Sequence, residues 1–188
     1  MRRLRTKQLI FIGYFLGTFI LGKIGVFKFS WSFLQFVLWD FVWWFSGAVL
    51  GGYFIKLDQL FYVYFTQAEA PFSLEIKSLL KQKQKNKAWN LLRQRVGEQR
   101  LAFRSALFQV VWIVLAFFTL TSTASVFGKT LVMAIGFHLL IDEWEAILAG
   151  QSIAWLFWQI KRPITPKEQK GFLWIMTGVF CLLSLLLI

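Results

Sequence analysis

The sequence predicts an all-α, polytopic integral membrane protein of about five transmembrane helices, with basic amphipathic helices on the cytoplasmic side. Three observations predict it. Hydrophobic residues fill 57% of 188 positions, more than a soluble domain of this length can bury. Leu, Phe, Ile and Trp come in long runs rather than at amphipathic spacing, which suits lipid as the solvent. Lysine and arginine are divided very unevenly between the segments that separate those runs.

The runs can be taken in order. Arg2, Arg3, Arg5 and Lys7 precede the first, residues 9–27, which Lys23 interrupts. No small-x-small cleavage site follows it, so it is read as an uncleaved first span. Residues 31–55 contain Asp40, residues 105–127 carry no charge, residues 130–149 carry a polar cluster, and residues 171–188 carry no charge. Each is near the roughly 20 residues that a helix needs to cross a bilayer. Helices are expected because lipid offers no partner to open backbone groups, and the alternation of a membrane barrel is absent. Trp31, Trp155, Trp158 and Trp174 fall near segment ends, where indole rings favour the headgroup layer.

The basic residues choose an orientation. The amino-terminal segment has four, residues 56–104 have ten, and residues 150–170 have four. A five-span arrangement with the amino terminus inside puts these 18 of 21 in the cytoplasm and leaves Lys23, Lys28 and Lys129 on the other side. The expected arrangement is therefore multi-pass, with the amino terminus in the cytoplasm and the carboxyl terminus outside. The fourth run is polar enough that a partly re-entrant or shielded segment is the alternative to a full span.

The whole chain, 1–188, reads as one membrane domain with a basic cytoplasmic helical loop at 73–104. Within that loop Trp89, Leu92 and Val96 share a helical face. The expected partners are membrane lipids, with anionic headgroups at the basic loop, and a protein partner or a second copy of the chain. The net charge of +12 fits that reading better than nucleic acid, for which no base-reading module is present. Residues 152–160 are apolar but too short to cross, and are expected to form an interfacial or re-entrant helix. Thr165, Pro166 and Glu168 spell a helix start with a capping box, so Glu168 is structural. The single cysteine, Cys181, excludes an internal disulfide and is expected to pack as a small hydrophobe. Asp40 is a second acid within an apolar run, expected at a helix contact or near the outer interface; Glu69 and Glu75 are read as solvated.

The candidate site is in the fourth run. His138, the only histidine, precedes Asp142 by four residues and Glu145 by seven, so all three share one helical face while Glu143 points elsewhere. Ionisable groups in such a segment cost about 2.5–3.5 kcal/mol each on insertion scales and so mark function or a specific contact. Imidazole with carboxylates suits zinc or manganese, a proton relay, or a polar contact between helices. In the five-span arrangement Asp58, Arg100, Arg104 and Ser105 reach the same cytoplasmic depth as Asp142. The predicted polar pocket is thus Asp58, His138, Asp142, Glu145, Arg100, Arg104 and Ser105, with Arg104, Arg100 or Lys56 able to pair with Asp142.

In order and spacing the chain resembles a family of bacterial inner-membrane proteins, membrane-bound metal-dependent hydrolases of the LexA-binding type. Their pattern is an Asp-x-Asp-His motif, a His-Arg-Gly-x-Thr-His-Ser motif, a Gly-x-x-x-His-x-x-x-Asp helix and a Trp-containing apolar stretch. Gly136 is followed here by Phe137-His138-Leu139-Leu140-Ile141-Asp142, then by Gly150 and Trp155-Leu156-Phe157-Trp158. Asp58 stands in the first motif, with Lys56 and Gln59 replacing its other members. Arg100 and Ser105 stand in the second, with Gln99 and Arg104 replacing its histidines. The resemblance covers roughly residues 50–165 and implies a location in the inner (plasma) membrane of a bacterial-type cell and a metal set of Asp58, His138 and Asp142, with a divalent ion such as zinc or manganese as cofactor. Lys56 and Arg104 would put positive charge where the cation should sit. The expectation is a non-catalytic, hydrolase-like scaffold or binding protein without a cofactor. The alternatives are a metal-dependent hydrolase of phosphoester or lipid-derived substrates, with Arg100 and Arg104 gripping the anion, and a small transporter or channel subunit.

Overall fold

The computed structural model describes residues 2–24, 31–66, 68–94, 103–122 and 125–187. Among them the chain is all helical, with no strand. The long helices are α1 (Arg2–Ile24), α2 (Trp31–Phe61), α5 (Ala106–Thr121), α6 (Val126–Leu148) and α7 (Pro166–Leu187). Two short helices, α3 (Pro71–Lys81) and α4 (Lys85–Gln94), form a hairpin beyond a π-helical turn, Tyr62–Thr66, that extends α2.

The bundle is organised around α6. Its residues Val132 to Gly136 are buried without a break, as expected of a helix that is apolar on every side. Trp112 of α5, Phe15 of α1, Trp44 and Ala48 of α2, and Met176 and Phe180 of α7 pack into the same core. The contacts give each helix a direction. Phe15 meets Trp44 and Lys23 meets Asp40, so α1 and α2 are antiparallel. Gly47 lies against Phe127 and Gly51 against Leu131, so α2 and α6 run the same way. Gln109 meets Glu143 while Trp112 meets Val132, and Trp144 meets Thr177 while Phe137 meets Phe180, so α5 and α7 both oppose α6. Successive long helices therefore alternate in direction.

Small residues permit the closest approach. A Cβ added at Gly47 would stand 2.5 Å from the Phe127 carbonyl oxygen, and one at Gly51 would stand 2.5 Å from that of Leu131. This Gly-x-x-x-Gly face lets the α2 backbone touch that of α6. Gly136 does the same for α5, since its missing side chain leaves room for the Trp112 indole. That indole also donates to the Val132 carbonyl at 2.8 Å, which satisfies its one polar group.

Among the described residues one helix, α7, is long and apolar enough to cross a membrane. The element boundaries differ from the sequence expectation in several places. Helix α2 does not stop at residue 55 but continues to Phe61, so Asp58 lies within it. The third run divides at Ser122, and Phe127 belongs to α6, which Ser125 caps by accepting from the Gly128 N–H. The fourth run starts at Val126 rather than 130 and forms one uninterrupted helix. Residues 152–160 form only a four-residue 3-10 turn, Ala154–Phe157, folded against the base of α7. Gln169 holds it there, accepting from the Ile153 N–H at 2.9 Å and the Ser152 hydroxyl at 3.0 Å. Cys181 is exposed, because the inward stripe of α7 is Leu173, Met176, Phe180, Leu183 and Leu187 and Cys181 falls one position beyond it.

Other features agree with the sequence. The loop contains two helices, with Ile76, Ala88 and Leu92 packed against Val63; Val96 and the side chain of Trp89 lie outside the described residues. The capping box forms: Thr165 N–H donates to Glu168 at 2.8 Å, and Glu168 N–H donates to the Thr165 hydroxyl at 3.3 Å. Glu69 and Glu75 are exposed.

Candidate functional site

The polar site gathers at the end of the bundle where α1 begins and α6 ends. Asp142 is its centre. Lys7 of α1 donates to Asp142 Oδ1 at 2.7 Å, and an Arg104 nitrogen stands 3.1 Å from Asp142 Oδ2. Lys7 also reaches Glu145 Oε2 at 2.7 Å, which its position one turn along the same face allows. His138 lies one turn earlier on that face, half-buried. The Asp142 and Arg104 side chains are only 14% and 11% exposed, so this pair is largely out of water.

Asp58 is buried on α2 and accepts from the Phe103 N–H at 2.9 Å. It thereby fixes the segment that positions Arg104. Ser105, the next residue, caps α5 by accepting from the Phe108 N–H at 3.1 Å. Three helices thus converge through local devices: a caught loop, a cap and a shared helical face. Of the predicted residues, Arg104, Asp142 and Glu145 join one ion-pair cluster, with His138 beside it. Asp58 and Ser105 support its edge, and Arg100 lies outside the described residues.

Three features were missed in the sequence. Lys7 was read only as a topology determinant, yet it is the cation between Asp142 and Glu145. Glu143 was set aside, yet it is fully buried and takes a hydrogen bond from the equally buried Gln109 amide of α5. Lys23 and Asp40 were placed on the same side but not paired; they meet at 2.6 Å, and Lys23 also lies over the Phe36 ring. The signal common to all three is a polar residue in an apolar run with a complementary polar residue in or just before another run.

The residues present do not fit the divalent ion that the resemblance implies. Among the described residues no three His, Cys, Asp or Glu side chains gather as a ligand set. The reason is visible at Asp142, where an ammonium and a guanidinium each occupy one carboxylate oxygen. Asp58 spends an oxygen on a backbone N–H. Compared with known proteins, the chain matches no family model, no curated protein and no solved structure. The charges are opposed and largely shielded, and both oxygens of the central carboxylate are already engaged, so removing either sign would strand the other.

Proposed function

We propose that this is a multi-pass protein of a bacterial-type inner membrane, acting as a non-catalytic, hydrolase-like scaffold or binding protein. The amino end of α1 and the α3–α4 hairpin face the cytoplasm, and α7 ends outside. The observation that carries the non-catalytic reading is the closed state of Asp142, bound by both Lys7 and Arg104.

The membrane reading draws on the distribution of charge and apolar surface. Among the described residues, the two interhelical ion-pair groups that involve α1 stand near its opposite ends, at Lys7 and Lys23. Sixteen residues separate them along α1, about 24 Å of helix, close to the thickness of a hydrocarbon core. Between them the outward faces are apolar. Leu9, Phe118, Leu182 and Leu185 are each more than 60% exposed, a surface that water does not tolerate over a large area. The alternating helix directions return the basic segments to one side, as the distribution of lysine and arginine requires.

Two measurements test this reading. Detergent-purified protein, prepared without chelators and offered zinc or manganese, should retain neither in stoichiometric amount. One tightly held ion per chain that Asp142→Asn removes would overturn the non-catalytic reading. For orientation, a Lys85→Cys variant in a Cys181→Ser background should react with an impermeant maleimide only after the cells are opened. Labelling of intact cells at that position would reverse the topology.

A further inference from the structure

The basic hairpin carries an open surface cavity of about 440 Å3, lined by Tyr64, Leu74, Lys77, Ser78, Leu80 and Lys81, most of them exposed. It lies between the π-helical turn that ends α2 and the face of α3 made by residues 74, 77, 78 and 81, which repeat at helical spacing. The π turn inserts an extra residue per turn, and such turns recur at binding sites.

The lining is chemically mixed. Lys77 is fixed in place, with its ammonium donating to the Ala68 carbonyl at 2.8 Å and lying 5.5 Å from the centre of the Tyr64 ring. An ammonium has three N–H groups, so it can still donate to a ligand. Lys81 is exposed on the next turn. The phenol of Tyr64 is a further potential donor, while the Ser78 hydroxyl donates to the Glu75 carbonyl. Neither Glu75 nor Glu69 lines the cavity. The rest of the lining is apolar, through Leu80 and through Leu74, which lies on the same face as the two lysines.

Apolar surface also runs down the bundle. Leu50, Tyr53, Leu57 and Phe61 of α2 and Phe65 of the π turn are exposed, and Phe65, 72% exposed, is the chain neighbour of the lining residue Tyr64. Tyr64 stands six residues past Asp58, about 9 Å further along the axis, beyond the level of the polar site. Two cations beside exposed apolar surface match one ligand class.

We infer that this cavity binds the phosphate headgroup of an anionic phospholipid, with its acyl chain lying along the exposed apolar residues of α2. The inference rests on the membrane reading proposed above, and it gives the basic hairpin a specific lipid partner rather than a diffuse attraction. Lys77 and Lys81 hold the phosphate diester, and Leu74 and Phe65 contact the chain.

The test uses the full chain in non-ionic detergent, titrated with mixed micelles of phosphatidylglycerol or phosphatidylcholine and read by native mass spectrometry as retained lipid. Phosphatidylglycerol should be retained in preference to phosphatidylcholine. Lys77→Gln with Lys81→Gln should weaken that retention roughly 10- to 30-fold, and Lys81→Gln alone, at an exposed position, about fivefold. Lys85→Gln with Lys87→Gln removes the same charge from the hairpin and should change it by less than about twofold. Equal losses in the two double variants, or no preference between the lipids, would overturn the site. Displacement of the lipid by millimolar glycerol phosphate would point to a soluble phosphate ester and overturn the lipid assignment. Micelles have no inside or outside, so a reversed topology in the labelling experiment leaves this result unaffected, and the two failures are distinguishable.

Discussion

Replacing Gly51 with leucine should lower the stability of the purified protein by at least about 3 kcal/mol, seen as a fall of roughly 6–12 °C in the thermal unfolding midpoint. The cause is backbone contact. A Cβ at Gly51 would stand 2.5 Å from the Leu131 carbonyl oxygen, 2.6 Å from the Ala134 Cβ and 3.3 Å from the Ile135 nitrogen. None of these is the end of a flexible side chain, so relief requires α2 and α6 to separate. Separation would open the contact along its length, since Gly47 meets the Phe127 carbonyl one turn away in the same register. It would also draw Trp44 and Ala48 away from the core around α6. Gly178 is the control. It too is inside a helix, but nothing lies within 4 Å of an added Cβ. Gly178→Ala should therefore keep or raise the midpoint, because alanine is the better helix former by about 1 kcal/mol. Equal behaviour of Gly51→Leu and Gly178→Ala would show that the α2–α6 contact is not tight.

This contact also shows how far sequence reasoning reaches. The helices themselves were legible because runs of Leu, Phe and Ile persist for about the length of a membrane crossing. Their ends were less so. Lys56 and Asp58 looked like the end of a span, but Asp58 stays within α2 because a backbone N–H from Phe103, 45 residues away, satisfies it. The break between α5 and α6 sits in a Thr-Ser-Thr-Ala-Ser tract at 121–125, a turn signal concealed by the apolar residues on either side. In the candidate site, the 3.6-residue period alone places His138, Asp142 and Glu145 on one face and turns Glu143 away. The period cannot say what each face meets. Lys7 is 135 residues from Asp142, and only the antiparallel packing of α1 on α6 brings them together. Gln109 opposite Glu143 follows in the same way from α5. Gly47 and Gly51 were not singled out, because a pair of glycines four apart in an apolar run does not say which helix it meets.

Removing the carboxylate of Asp142 should be about as damaging as the glycine change, for an electrostatic reason. Asp142→Ala leaves Lys7 and Arg104 facing each other without their shared counter-ion. Breaking a buried pair typically costs about 3–5 kcal/mol, because the surviving charge is stranded in a poorly solvated place. The lower part of that range is expected here, since the Lys7 side chain is 24% exposed and retains Glu145 as a partner. Arg104 is the main source of the loss. Its side chain is 11% exposed, and its Nε is already buried without a hydrogen-bond partner. Glu145→Ala removes a 40%-exposed acid and should cost less than about 1 kcal/mol. The comparison therefore separates the central carboxylate from its neighbour. A triple variant with Lys7→Leu, Arg104→Met and Asp142→Leu removes the charges together and should recover most of the stability lost in Asp142→Ala, as apolar replacement of a whole buried charge cluster is often neutral or better. Recovery would assign the cluster to helix packing. If Asp142→Ala instead unfolds at the wild-type temperature, the ion pairs contribute nothing measurable to the fold, and Asp142 is free for a role other than holding α1, α5 and α6 together.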